Sequence, residues 1–521
     1  MTRAALLGLD LGTTSAKALL VDVDSGAPLA FARRPAGRLL VDASGAAEHD
    51  AEAWWAAIVA AVREALAVAR AEGPIDVRAI SVAGHGPSLV PMRADGAFAG
   101  PVITWLDRRA TVDERELAGL IGRSGWLLAE LPKARWFLRE RAALAAESAW
   151  LLSTWDAIAY RLSGEAVTSF WDPARSLDAA QRSSLQSPRG GLDARAMPAE
   201  VAPGTLLGGL RPDMADELGL PATVAIVAGL NDGLSAVVGA GLDRAGLAVD
   251  VGGTAGGLAI AALPDPAASV VHRLGGALWA GPAPAPFGDL RIVGGAFSGT
   301  GAILERTLEA LEAQGISMGP TARAGLFAAA AAVPLGADGL LARAAGDPAW
   351  RAPGASLDER FTGTRASHTP AHYVRAAIEA GALAVAGLLA PARAAGLRVD
   401  EVRLSGPATG ASVGTLEGAL AGVPAPTAWL AALRADLFAC PVVLPRLGET
   451  AAAGAAALAG AGVGAYGSLG EAIGALVHPA RRVEPGVNAE AAAQLLDRYR
   501  SLVAPRVRED AIGTAGSSTG D

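Results

Sequence analysis

Two short apolar runs separated by a compact Gly/Thr/Ser turn occur twice along the chain, once near the start of each half. The first is Leu6-Leu7-Gly8-Leu9-Asp10-Leu11-Gly12-Thr13-Thr14-Ser15, after which apolar residues resume over Ala18–Val23. The second is Leu247-Ala248-Val249-Asp250-Val251-Gly252-Gly253-Thr254-Ala255-Gly256, followed by Leu258–Leu263. Each pattern predicts a β-hairpin. The matching segments are short, and the Gly-Thr steps differ by one position; their placement carries the weight. Between them, apolar positions at helical spacing behind acidic residues predict a helix over Ala51–Ala71. Val77–Ala83, Val102–Trp105 and Ala222–Ala228 read as strands. In the second half, Thr369-Pro370 opens a helix expected to run to about Ala390, where Pro391 would stop it. Val402–Ser405 and Pro441–Leu444 read as strands and Ala451–Ala461 as a buried helix. This alternation predicts an α/β protein with mostly parallel sheets and a domain boundary near Gly241–Gly246.

Composition narrows the class. At about 100–200 residues per domain, 521 residues suggest two or three domains. An apolar fraction of 51% with 18% charged residues excludes intrinsic disorder. The net charge of −8 argues against a nucleic-acid partner. Cys440 is the only cysteine, which removes disulfide frameworks and cysteine zinc sites and makes the reducing cytoplasm the expected compartment. The only lysines are Lys17 and Lys133, and neither follows a glycine, so no Walker A loop is present. The opening run Ala4–Leu9 ends at Asp10, too short for a signal-peptide core. Phe327–Leu335 and Ala451–Ala465 are short and rich in Ala and Gly, so no membrane partner is expected. Arg506–Asp521 turns polar and reads as a flexible tail.

Candidate chemistry begins at the first hairpin. Backbone N–H groups of a Gly-Thr-Thr-Ser turn, with the threonine hydroxyls, can cradle phosphate oxygens. Asp10 would then stand at the strand end, placed to hold a metal-bound water. The alternative is an ordinary turn capped by an aspartate; the second hairpin favours the phosphate reading. Asp232, in Ala228-Gly229-Leu230-Asn231-Asp232-Gly233, follows a predicted strand and points where α/β sheets bind ligands. It suits a base for a phosphoryl acceptor, and equally a cap opening the helix Gly233–Gly239. Other motifs are weaker. Gly410-Ala411-Ser412-Val413-Gly414 matches a nucleophile elbow, a cheap match among 65 glycines. His368 and His372 have zinc-site spacing, but Pro370 and the missing glutamate point to a helix-start cap instead. Gly84-His85-Gly86 lacks the third glycine of a dinucleotide fingerprint.

Taken together, these segments resemble the FGGY family of carbohydrate kinases, in order and over most of the chain. Asp10–Ser15 with Lys17 is similar to its first phosphate motif, and Ile80–Gly96 to its substrate segment. Trp105-Leu106-Asp107-Arg108-Arg109 resembles its Trp-x-Asp-x-Arg element, and Asp156 with Tyr160–Gly164 a further shared stretch. Pro203–Gly208 and Ala228–Gly241 resemble the run to its catalytic aspartate, and Gly253-Thr254-Ala255-Gly256 its second phosphate motif. The resemblance implies two ribonuclease-H-like or actin-like lobes around a central interdomain cleft. Residues 1–243 would bind sugar and carry the base, and 244–505 would bind nucleotide. It implies ATP and Mg2+, a sugar or polyol substrate, and a homodimer, since relatives often form dimers. It implies Asp232 as the catalytic base and Asp10 as the residue holding metal through water. Gly12, Thr13, Thr14, Lys17, Gly253, Thr254, Gly301 and Gly406 fall at nucleotide or phosphate positions, and His85, Trp105, Asp107 and Asp232 at the sugar.

Departures from the family pattern open a second hypothesis. Its polar substrate pair becomes Gly86-Pro87, which removes side chains and enlarges the expected pocket, with His85 compensating or standing as a loop histidine without a ligand. The adenine turn becomes Ser405-Gly406-Pro407-Ala408, with an insertion before Trp429, and the family's Gly-Glu-Arg-x-Pro loop becomes Ala345-Gly346-Asp347-Pro348. The chain is therefore read as an ATP-dependent kinase for a ketose or polyol, or else as a catalytically weakened sugar-binding homologue with a sensory role. An actin- or chaperone-like ATPase ranks last, because it leaves the Trp105–Asp107 segment unexplained.

Overall fold

Strand β1 (Arg3–Leu11) is buried without interruption from Ala5 to Leu11, the signature of a strand covered on both faces at the centre of a sheet. The computed structural model describes residues 2–512, apart from 253–255, 275–277, 283–288, 298–299, 345–346, 351, 353, 407–427 and 487. The first hairpin forms as expected: β2 (Ser15–Asp22) returns antiparallel to β1, and β3 (Pro28–Pro35) adds a third strand. Helix α1 spans Ala51–Ala71, capped by the Asp50 carboxylate, and buries Trp54, Ile58 and Val62. It carries the chain over to β4 (Ile75–Gly84), which lies parallel to β1. β5 (Leu206–Gly209) and β6 (Ala225–Asn231) complete the order β5-β6-β4-β1-β2-β3. Helix α2 (Asp232–Gly239) follows β6 directly.

The second half repeats the plan. β7 (Leu247–Val251) and β8 (Gly256–Ala262) are the second antiparallel hairpin. With β9 (Trp279–Pro282), β10 (Arg291–Phe297), β11 (Glu401–Ser405), β12 (Val442–Pro445) and β13 (Pro479–Val483), the order is β9-β10-β8-β7-β11-β12-β13. The runs β3-β2-β1-β4-β6 and β10-β8-β7-β11-β12 share one pattern, two antiparallel pairings followed by two parallel ones. That duplication is the arrangement expected of paired ribonuclease-H-like lobes. The expectation of mostly parallel sheets is corrected. Hairpin-linked strands must run antiparallel, and only strands reached through a long crossover pair in parallel.

Smaller differences have local causes. β6 begins and ends three residues later than expected, because it stays paired with β4 as far as Asn231. The strand expected over Val102–Trp105 stops at Ile103, where the Asp107 N–H turns back to the Thr104 carbonyl. Helix α3 (Pro370–Ala394) runs through Pro391, which lies within its last turn and forgoes the bond that its N–H would have made to the Gly387 carbonyl. By length and composition α3 is long and apolar enough to cross a membrane, but 67% of its apolar window is buried, and Val374, Leu383 and Leu389 belong to the second lobe's core. The last helix, Ala489–Ile512, extends into the expected tail.

Helix α4 (Thr450–Gly462) joins the two halves. It follows β12, yet it packs on β1 and α2 of the first half, and one core cluster holds Leu6, Val227 and Leu234 with Val249, Ala452 and Ala456. Glycines permit the approach. A Cβ on Gly8 would lie 2.0 Å from the Ala452 carbonyl oxygen, one on Gly239 1.9 Å from that of Thr450, and one on Gly454 1.9 Å from that of Ser235. The Ser235 hydroxyl donates to the Ala451 carbonyl at 2.8 Å.

Gly8→Ala is therefore expected to destabilise the protein by about 1–3 kcal/mol through overpacking. Gly119, in the helix Thr111–Ile121 with nothing within 4 Å of its Cβ position, is the control; Gly119→Ala should be neutral or slightly stabilising. Thermal unfolding of both variants checks this, and equal midpoints would contradict the packing account.

Candidate active site

The register of the first hairpin sets Lys17 directly opposite Asp10. Its ammonium lies 2.8 Å from Asp10 Oδ2 and 2.8 Å from Glu449 Oε2 at the start of α4. Burial alone would lower the Lys17 pKa, but the Asp10 and Glu449 carboxylates outweigh it and hold it above the ordinary value. Asp10 is 4% exposed, and its Oδ1 has no hydrogen-bond partner among the described residues. The turn itself is closed by the Gly12 N–H to the Ser15 carbonyl at 3.0 Å, with Thr13 half-buried and Thr14 exposed. The other lysine, Lys133, is buried in the helix Leu131–Glu140, where burial lowers its pKa against the pull of Asp107.

Asp232 sits at the first position of α2. The helix is capped by Asn231, whose Oδ1 accepts the Gly233 N–H at 3.0 Å; Asp232 Oδ1 shares that N–H at 2.7 Å. Asparagine thus takes the capping role that the sequence left open to Asp232. Asp232 remains partly exposed, yet its carboxyl is pushed up to about 7, first by burial and then by the neighbouring negative charge of Asp10. Loss of Asp10's ionic partner would raise it further.

The expected sugar residues divide. Half-buried Trp105 donates its indole N–H to the Thr13 hydroxyl at 3.0 Å, stitching the loop after Ile103 to the Gly12–Ser15 turn. Asp107 is internal. Its side chain is 1% exposed and accepts from the Ala47 N–H at 3.0 Å and from Arg109, whose guanidinium stacks 4.1 Å from the Trp136 ring. His85 is also internal. Its ring packs edge-on against Trp54, Nδ1 bonds to Ser88 at 2.8 Å, and Nε2 is buried without a partner. Burial, with the nearby His49 ring, lowers it to about 3, so it is neutral. Nor does Gly86 enlarge the pocket: a Cβ there would meet the Trp155 ring at 3.0 Å and the Asn231 amide at 3.3 Å. Trp155 fills that space.

The second lobe departs from the first. Asp250, the counterpart of Asp10, faces Leu258 across its hairpin and pairs instead with Arg434 at 2.9 Å. Burial raises its pKa against that pairing. Gly406 has φ +57°, and a Cβ there would lie 2.8 Å from the Gly252 carbonyl oxygen, so the ends of the two strands meet where only glycine fits. Gly301 lies in the first turn of the helix Thr300–Ala313. Gly253, Thr254, Ala345-Gly346, Pro407-Ala408, the insertion before Trp429 and the Gly410–Gly414 motif lie outside the described residues. His372 is a cap residue as expected, its Nδ1 accepting the Thr369 N–H at 3.1 Å.

Residues 5–239 match the family described as FGGY family of carbohydrate kinases, N-terminal domain. The glycerol kinase of Bordetella parapertussis is 30% identical over 542 residues, covering 96% of both chains. The chain belongs to the FGGY family of carbohydrate kinases. A xylulose kinase of Streptomyces coelicolor is 30% identical over 269 residues, 48% of this chain and 53% of that one. Among solved structures, the xylulose kinase from Rhodospirillum rubrum is 27% identical with a TM-score of 0.71, covering 96% of this chain and 98% of that one. The Plasmodium falciparum glycerol kinase with ADP, 15% identical with a TM-score of 0.71 over 97% and 98% of the chains, shares the fold. The duplicated sheets of this FGGY kinase are thus its two actin-like lobes.

Sequence reasoning missed Glu449 and Gly8. The signal for Glu449 was its place in Gly448-Glu449-Thr450, heading a helix of alanine and glycine.

The raised Asp232 pKa has a consequence for stability. The folded state holds that proton more tightly than the unfolded chain, so stability from this group is greatest below the ordinary aspartate value and falls as pH rises towards 7. Asp232→Asn should therefore raise the unfolding midpoint, and by more at pH 8 than at pH 5. An equal shift at both pH values would contradict the assigned environment.

Proposed function

We propose that this kinase transfers the γ-phosphoryl group of ATP to a hydroxyl of a ketose such as a pentulose, or of a polyol, with Asp232 as general base. One observation carries the reading: the Asp232 carboxyl, pushed up to about 7, sits within the field of the Asp10–Lys17 pair beside the phosphate turn. A base is most effective with a pKa near the working pH. Asp232 takes the proton of the attacking hydroxyl as its oxygen bonds to the γ-phosphorus and the bond to the bridging oxygen breaks, releasing ADP.

The other residues position and neutralise, which is most of the work in phosphoryl transfer. Gly12, Thr13, Thr14 and Lys17 would take phosphate oxygens from the first lobe. Gly253, Thr254, Gly301 and Gly406 would hold the nucleotide from the second. Trp105 would offer its ring face to sugar C–H groups while its N–H is tied to Thr13. Asp107 and His85 would shape that loop from behind rather than touch the sugar. The site suits Mg2+: Asp10 presents a hard oxygen, unpartnered among the described residues, and would hold the ion through water. When bound, the ion supplies charge neutralisation at the phosphates.

Asp232→Asn should lower kcat on a responsive sugar by about 10²–10⁴-fold while calorimetric ADP affinity stays within a few-fold. Retained turnover would remove Asp232 as the base. Because only the ionised carboxylate accepts a proton, kcat/KM for the sugar should rise with pH and level off above the Asp232 pKa, about 7. A flat profile would contradict the assignment. Tight sugar binding by the wild type with no phosphate transfer would instead favour the weakened sugar-binding homologue.

A further inference from the structure

We propose that Glu449 is a positioning residue for nucleotide binding: it holds the Lys17 ammonium so that one N–H stays aimed at the incoming phosphates. The inference rests on the reading of Lys17 as a phosphate ligand. An ammonium has three donors. Two are taken by Asp10 and Glu449, each at 2.8 Å, and the Lys17 side chain remains 18% exposed, so the third is open to the cleft. A lysine stem is flexible. With Asp10 alone, Lys17 would be free to swing about a single partner; a second carboxylate fixes its direction.

Glu449 is built for that task. It stands at the N-cap position of α4, yet its side chain makes no capping hydrogen bond, so its carboxylate is available to Lys17. Its backbone has little room to move. The next residue, Thr450, has its carbonyl oxygen pressed on Gly239 of α2 and its hydroxyl bonded to Ser405. The residue before, Gly448, accepts the Gly406 N–H at 3.0 Å. One short segment thus touches the helix of the proposed base, the nucleotide turn and the phosphate-turn lysine. A carboxylate that served only to neutralise Lys17 would need no such anchoring.

Calorimetry with Mg2+ and a non-hydrolysable ATP analogue on the full chain tests the proposal without turnover. Glu449→Ala should weaken binding about tenfold, the range of a charge-assisted hydrogen bond. Glu449→Gln, whose amide oxygen still accepts from Lys17, should restore it to within about threefold. Lys17→Met should cost at least as much as Glu449→Ala, and adding Glu449→Ala to it should cost nothing more. Unchanged or tighter binding by a folded Glu449→Ala protein, or independent effects of the two substitutions, would overturn the proposal. If the alanine variant does not fold, Glu449→Met removes the acceptor and keeps the stem, with the same outcomes expected. A wild type that binds the analogue but phosphorylates no sugar sinks the kinase reading and leaves this one standing; a wild type that binds none overturns both.

Discussion

Backbone contact between α4 and the first lobe is the constraint on which the site depends. Gly8, Gly239 and Gly454 bring carbonyl oxygens to distances where no Cβ could stand. Gly8 lies on the strand that carries Asp10, and Gly239 ends the helix that begins with Asp232. Gly448, just before α4, holds Gly406. Packing at this distance tolerates few arrangements, because interiors are close-packed and an added methyl must displace something. Asp10, Asp232, Lys17 and Gly406 are therefore referred to one helix rather than to each other.

Electrostatics then separates the roles of two hairpins that look alike. Asp10 and Asp250 occupy equivalent positions, but Asp10 faces a lysine and Asp250 faces a leucine. In the first lobe Lys17 leaves one Asp10 oxygen without a partner among the described residues, and burial, then the Asp10 charge, raises the pKa of Asp232. In the second lobe Arg434 reaches Asp250 from another helix and closes that position. The equivalent positions of the duplicated fold thus carry different ion pairs, Asp10 with Lys17 in the first lobe and Asp250 with Arg434 in the second.

Periodicity and turn chemistry made much of this legible. Both hairpins, α1 over Ala51–Ala71 and the strand-to-helix step at Asp232 follow from local pattern, since each is decided by residues close in the chain. What was not legible depends on pairing across the chain. Asp107 matched a sugar-loop motif, but its oxygens are taken by Ala47 and Arg109. Gly86 suggested an open pocket until the Trp155 ring stood against it. Glu449 meets Lys17 only because α4 crosses back onto β1, and no spacing in the sequence predicts that crossing.

The central claim is that phosphate moves from ATP to a sugar hydroxyl within this cleft. Phosphorus-31 NMR of the wild-type protein with Mg2+, ATP and, in turn, pentuloses, hexuloses, polyols and glycerol tests it directly. The account predicts a phosphomonoester signal that grows in step with ADP and only when one of these acceptors is present. ADP accumulating at one rate with and without every acceptor, with inorganic phosphate as the sole other product, would contradict it.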